Sequence, residues 1–466
     1  MAFICNFGSS SSSSSSTKDK RIIWKFILMV LDIIFFVITM LTSKFKKDCL
    51  YIFLIICGVV ILTEIDLIMN QFYHNVLYIN DVVTAINNQL RSLRTSKHLA
   101  AVLPFRYNAK LKTVTPSKYC QAYSICVKAL IALLCFYHWS LKDFLDLSIF
   151  QENDAIELLT SVMVMTNMYA LIAIFILNWR EYSTVLNIFN EFAAIERIYY
   201  ARHSILAQKC TTYDNYIILK GLATLLQNIS FLLVVFIGVN EPDIYAVGLV
   251  GFLLILSNTI FVVVLHFCNF TITTYRCIWI MQRRLQYMAD YDIKIGGDAA
   301  CVANEIYEIA GTYMRLLKLC KQFGRVYGQQ LLLSIFGIMC ANIQTLYLLR
   351  ILWSERVVEL SNWDIFFTLQ AVLINIFDFW LTTTVCELVL CEARDMAQVL
   401  RCFDEIAQMD LELERSVDIL VAICRNNYPQ FRLGGLIDLN HDTGLKTLLT
   451  MILYLIYLVQ FSYNDF

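Results

Sequence analysis

Gly444–Phe461 reads GLKTLLTMILYLIYLVQF, and how this stretch is understood decides the fold. As a helix of about 18 residues at ~1.5 Å rise, it reaches across a hydrocarbon core of ~30 Å. It is not uniformly apolar. Thr450, Tyr457 and Asn464 recur every seven residues, with Thr447 and Gln460 on the same side. Leu448, Ile452, Leu455 and Val459 fill much of the opposite side. A span with one polar stripe is either an anchor helix with a few buried polar side chains or a pore-lining helix, and spacing alone leaves both open.

The rest of the chain is equally apolar. Of 466 residues, 58% are hydrophobic and only 16% charged, with mean hydropathy +0.61. Soluble domains carry about 25% charged residues, so an ordinary soluble protein is excluded. Continuous apolar runs argue against a membrane barrel, whose strands alternate. A net charge of −1 gives no field that points to nucleic acid. Sixteen cysteines are scattered without a CxxC pair, and Cys135, Cys268 and Cys340 sit inside apolar runs, so neither a disulfide framework nor a zinc site is expected. HExxH, GxSxG and GxxxxGK[ST] are all missing, so no enzyme, cofactor or metal centre is expected.

From the N-terminus, Ser9–Ser16 is a low-complexity serine run. Apolar blocks follow near Ile22–Leu41 and Leu50–Met69, then a polar amphipathic segment, Gln71–Leu103. Pro104 and Pro116 mark a break. Seven further spans are expected near Ser124–Trp139, Ala155–Leu177, Tyr216–Val239, Tyr245–Cys268, Tyr327–Trp353, Asp364–Leu390 and Gly444–Phe461.

Lysine and arginine alternate cleanly between the connections. Seven precede the first of these spans, between Arg91 and Lys118, and only Lys142 follows it. Four lie between the second and third spans, and none between the third and fourth. Eight lie between the fourth and fifth, only Arg356 between the fifth and sixth, and six between the sixth and seventh. By the positive-inside rule the series starts in the cytoplasm and ends outside. This is opposite to a G-protein-coupled receptor. Thr271–Tyr287 keeps helical spacing beyond the fourth span, and Ala393–Cys424 is amphipathic, with Met396, Val399, Leu400 and Phe403 on one face. The two could join a cytoplasmic bundle.

Polar residues inside the spans are the functional pointers, because each is costly in lipid. Asn167, Asn342, Gln344, Gln370 and Asn375 could line a small polar cavity, with Tyr169, Tyr347, Trp363, Phe366 and Phe367 as aromatic walls. Asp378 lies mid-span and needs a partner, while Lys220 is expected to snorkel toward the cytoplasmic edge.

The C-terminal residues resemble the insect gustatory receptor family. That family ends its last span with Thr-Tyr, five apolar residues and Gln-Phe. Here the run is Leu453-Tyr454, Leu455–Val459, then Gln460-Phe461, with Leu453 departing from the pattern. Pro429–Asn440, PQFRLGGLIDLN, resembles the segment leading into the pore helix, with Ile437 where phenylalanine is common. Asn178-Trp179-Arg180 and the closing Tyr463–Phe466 resemble the divergent, bitter-receptor-like fly branch. The likeness covers about Ser117–Phe466 and leaves residues 1–100 unexplained.

The expectation is an all-α polytopic membrane protein. It has a seven-helix subunit with a cytoplasmic N-terminus and an extracellular C-terminus, plus one or two extra N-terminal hydrophobic helices. Residues 1–21 form a disordered leader, and 22–118 the extra hydrophobic and amphipathic segment. Residues 119–268 hold helices one to four and the ligand-pocket part, followed by a cytoplasmic helical extension, 269–326. Helices five and six occupy 327–390, a cytoplasmic anchor segment 391–443, and the pore-lining helix 444–466. The resemblance implies a tetrameric, homomeric or heteromeric, ligand-gated cation channel that detects small-molecule tastants in the plasma membrane of sensory neurons. By the same likeness the pore and gate fall to Gln460, Phe461, Tyr457, Thr450 and Tyr454, and the pocket to Asn167, Tyr169, Asn342, Gln344, Gln370, Asn375 and Asp378. Partners are then the tastant, the lipid bilayer, permeating cations and related subunits, with no nucleic acid. A secondary transporter or another multi-pass membrane receptor is the alternative, and the transporter would need broken helices near the midplane.

Overall fold

Apolar runs too long for one bilayer crossing become helices too long to lie wholly within it. The structure, a computed structural model, describes residues 105–108, 113–116, 154–202, 210–238, 244–292, 299–355, 362–404 and 410–464. The chain divides into two units, residues 1–59 with 239–249 and residues 60–238 with 250–466. The packing described belongs to the second. The two N-terminal apolar blocks, the segment Gln71–Leu103 and the first of the seven spans lie outside the described residues.

The helices are α1 (Asp154–Arg180), α2 (Tyr182–Arg202), α3 (Thr211–Gly238), α4 (Ile244–Tyr287), α5 (Ala299–Glu355), α6 (Asn362–Val399), a short α7 (Arg401–Asp404), α8 (Leu411–Asn426) and α9 (His441–Asn464). One π turn, Met288–Asp292, closes α4. Among the described residues, four helical stretches are long and apolar enough to cross a membrane: Ile260–Asp290, Ala299–Ile351, Ile365–Phe403 and His441–Gln460. The break between Pro104 and Pro116 is a strand pair instead, β1 (Phe105–Asn108) antiparallel to β2 (Thr113–Pro116). Proline is compatible there because β2 is an edge strand and Pro116 its last residue.

Helix α5 is the spine. Its 57 residues reach about 85 Å, against ~30 Å of hydrocarbon, so more than half its length extends past the bilayer core. α1, α2, α3's partner α6, α8 and α9 all pack on it or on α6. The basic and apolar residues after Cys268 continue α4 without a break, giving one 44-residue helix.

An aromatic cluster lies where the charged halves of α4 and α5 run together. Phe270 stacks on Phe323 with ring centroids 3.7 Å apart, and Phe323 on Tyr327 at 4.4 Å. Phe267 joins this pile and meets Phe431 edge-on at 5.8 Å. Met396, Leu400 and Phe403 are fully buried, as their shared face predicts, and Leu413, Val417, Leu420 and Cys424 of α8 close over α5. Arg284 holds Glu305 with two bonds of 2.5 and 2.6 Å, tying α4 to α5. Such a bidentate pair fixes helix register more firmly than a single contact.

A small hairpin enters the last helix. β3 (Arg432–Leu433) pairs with β4 (Ile437–Asp438), turning through Gly434 (φ 56°) and Gly435 (φ 79°). Left-handed backbone favours glycine at both positions. The hairpin presses on α5 at Gly328, whose carbonyl accepts the Gly434 N–H at 3.0 Å. A Cβ at Gly328 would lie 2.5 Å from the Arg432 carbonyl, so only glycine admits this approach.

Candidate functional site

Helix α3 carries Lys220, Thr224 and Gln227 on one face, and α6 carries Asn375, Asp378 and Thr382 on one face. The two faces meet. Lys220 Nζ donates to Asp378 Oδ1 at 2.5 Å and to Thr382 Oγ1 at 3.3 Å. Lys220 is 1% exposed and Asp378 3%. Unpaired, either charge would be untenable in an apolar interior; paired and hydrogen-bonded, both are admitted. The expectation that Lys220 snorkels is thereby corrected. Asp378 on the facing helix offers a counter-charge nearer than interfacial water, and it is the partner that Asp378 required.

An amide chain runs across the bundle from the same faces. Gln227 Nε2 donates to Asn375 Oδ1 at 3.1 Å, and Asn375 Nδ2 donates to Asn342 Oδ1 at 2.9 Å. It links α3, α6 and α5. Between α5, α6 and α9 lies a narrow cavity of about 20 Å³, lined by Asn342, Asn375, Asp378 and Thr382 and by Thr447, Leu448 and Met451 of α9. A wider apolar groove of about 500 Å³ runs between α3 and α6, with Leu222, Leu226, Phe366, Leu373 and Phe377 on its walls and Gln370 as its polar member.

The structure thus brings Asn342, Asn375 and Asp378 to one cavity and sets Gln370 in the adjoining groove. The other expected pocket residues stand apart. Asn167 packs on α5, its Oδ1 2.6 Å from where a Cβ of Gly337 would stand. Tyr169 is 67% exposed and Gln344 is buried at 8%. Tyr347 is buried against Leu455, Leu458 and Val459 of α9. The Trp363 side chain lies outside the described residues. Lys220, Gln227 and Thr382 were not among the expected pocket residues. Their helical spacing was visible, but which face of α3 meets α6 was not.

Helix α9 is fastened at its start. The Asn440 Oδ1 accepts the Thr443 N–H at 2.8 Å, an N-cap. His441 stacks on Trp380 at 5.1 Å, and its Nε2 lies 3.1 Å from the Thr384 hydroxyl. Gly444 fits against Thr383, where a Cβ would come within 3.2 Å. Beyond that point only one side of α9 is covered, through Met451, Leu455 and Leu458. Thr450, Tyr454, Tyr457 and Gln460 are exposed along the other side. Phe461 belongs to the same helix, and its side chain lies outside the described residues. Thr447, read from spacing as part of the polar stripe, instead turns about 60° from Thr450 toward the cavity.

The comparisons agree with this architecture. The chain is 25% identical over 370 residues to the gustatory receptor for bitter taste 22e of Drosophila melanogaster, covering 78% of this chain and 92% of the relative. It superposes on the insect olfactory receptor OR5 from Machilis hrabei in complex with eugenol, with TM-score 0.56 and 13% identity over 77% of this chain and 94% of that one. A second structure of the same receptor gives TM-score 0.53 at 11% identity, over 77% of this chain and 93% of that one. At these identities the olfactory receptor shows the fold. The model of the 7tm Chemosensory receptor family matches residues 93–465, so this chain belongs to that family, whose members are multi-pass membrane receptors and not enzymes.

Proposed function

We propose that this chain is one subunit of a tetrameric, ligand-gated, non-selective cation channel in the plasma membrane of sensory neurons, opened by small-molecule tastants of the bitter class. The observation that carries this reading is α9. It is apolar enough to span, capped and stacked onto α6 at its start, yet exposed along the side that bears Thr450, Tyr454, Tyr457 and Gln460. A helix largely uncovered by its own subunit, exposing hydroxyl and amide groups along one line and Leu449, Ile452, Leu453 and Ile456 beside it, suits a water-filled axis shared by several copies, with the apolar residues turned to lipid or to neighbouring subunits. With the N-terminus in the cytoplasm and the C-terminus outside, Gln460 and Phe461 lie at the extracellular gate. A ring of Tyr457 and apolar neighbours closes such a pore by dewetting, and Gln460 offers ions a polar contact.

The tastant site lies among the remaining helices, in the α3–α6 groove that Gln370 lines, with Asn342, Asn375 and Asp378 as the polar network behind it; Asn167, Tyr169 and Gln344 belong to the wider pocket outside that groove. Ligand opens the channel only by binding the open state more tightly than the closed one. Expression in a heterologous cell, with current recorded across a panel of bitter compounds, tests the reading. We expect ligand-evoked cation current that changes in conductance or selectivity in Gln460→Ala. A C-terminal epitope unreachable from outside intact cells refutes the orientation, and an unchanged Gln460→Ala current refutes the gate.

A further inference from the structure

We propose that the cavity between α5, α6 and α9 is a hydration site, holding one ordered water that bridges Asp378 and Asn342 to Thr447 of the last helix. Both Asp378 and Asn342 are more than nine-tenths buried, at 3% and 4% exposure, and both line the cavity. Their hydrogen-bonding capacity is only partly used. Asp378 Oδ1 accepts from Lys220, and a carboxylate has about four acceptor positions. Asn342 Oδ1 accepts from Asn375, while its NH2 donates to none of the described residues. The Thr447 hydroxyl bonds to none of them either. The site therefore presents an acceptor, a donor and a group that does both. Water is complementary to all three, donating to the carboxylate and accepting from the amide.

Size and charge exclude other occupants. A volume of about 20 Å³ admits one water, which needs ~10–15 Å³, and admits no organic ligand. A metal cation finds Asp378 already neutralised by Lys220 and would leave an uncompensated charge among Ile335, Met339, Leu448 and Met451. The consequence concerns coupling. The ion pair joins α3 to α6, and the water extends that network to α9, the helix without a direct hydrogen bond to it among the described residues. Displacing α9 removes a bridging ligand from the water, so the network favours one position of this helix. The link to gating, and that alone, rests on the channel reading above.

The test is a cryo-electron microscopy map of the full-length chain in phosphatidylcholine nanodiscs, at a resolution that shows interior waters. We expect a solvent peak within about 3 Å of the Asp378 carboxylate and of the Asn342 amide or Thr447 hydroxyl. A cavity without density, while other buried waters are visible, overturns the proposal. Thr447→Val and Asn342→Leu supply a second readout through thermal melting of the purified protein. The bridge predicts that the double variant shifts the midpoint by little more than the larger single shift, and full additivity overturns it. A water peak in a protein that passes no ligand-evoked current leaves this site standing and removes the channel reading instead.

Discussion

Lys220 on α3 and Asp378 on α6 form a buried ion pair 2.5 Å long, 158 residues apart in sequence and almost wholly withdrawn from solvent. No local interaction could hold either charge where it sits. Each is admitted because the other is present, which makes this pair a check on how α3 and α6 pack.

Removing one partner should therefore be worse than removing both. Lys220→Met or Asp378→Leu alone leaves a stranded charge and should cost about 3–5 kcal/mol, read as lost surface expression and a lowered melting temperature. The double variant should recover most of that loss. A double variant that loses the sum of the two single losses would show that the charges act separately.

Gly328 separates two roles that sequence cannot distinguish. Gly328→Ala drives a methyl into the Arg432 carbonyl and should displace the β3–β4 hairpin, lowering stability by more than 1 kcal/mol. Gly311→Ala, on the same helix with open space around it, should stabilise by up to about 1 kcal/mol through helix propensity. Thermal melts of the purified variants should move in opposite directions; shifts of the same sign would refute the hairpin contact.

The cap of α9 makes a local prediction with a distant readout. Asn440→Ala frees the Thr443 N–H and should cost ~1 kcal/mol, whereas Asn440→Asp keeps the acceptor. If the start of α9 sets the position of the helix, the alanine variant should change ligand-evoked current and the aspartate variant should restore it. Equal behaviour of the two would count against the cap.

Thiol reactivity maps the α5–α8 packing. Burial pushes the Cys424 thiol up to about 12, so its thiolate, the form that is stable on unfolding at alkaline pH, is suppressed in the folded protein. A raised acid pKa stabilises the fold relative to the unfolded chain below the ordinary thiol range, and that contribution is lost as pH rises through the folded value. Maleimide labelling at pH 8 should mark the exposed Cys402 and spare Cys424 until denaturant is added. Prompt labelling of Cys424 in the native protein would mean that α8 does not seal against α5.

Much of the architecture was legible in the sequence. Continuous apolar runs with few prolines specify long helices, because a backbone in hydrocarbon must satisfy its own hydrogen bonds. The shared face of Met396, Leu400 and Phe403 was legible from its helical periodicity. The strand pair β1–β2 was not, because two prolines mask so short a ladder.

What the sequence by itself determined is therefore the long apolar helices among the described residues, their polar positions and the family resemblance carried by α9. Only the tertiary structure decided that Lys220 meets Asp378, that Asn342 and Asn375 line a cavity that Asn167 and Gln344 do not line, and that Thr447 turns inward from the polar stripe. The physical reason is that periodicity defines a face, whereas a partner is defined by which faces meet. That choice depends on the packing of α3, α5, α6 and α9 together, which no single helix encodes.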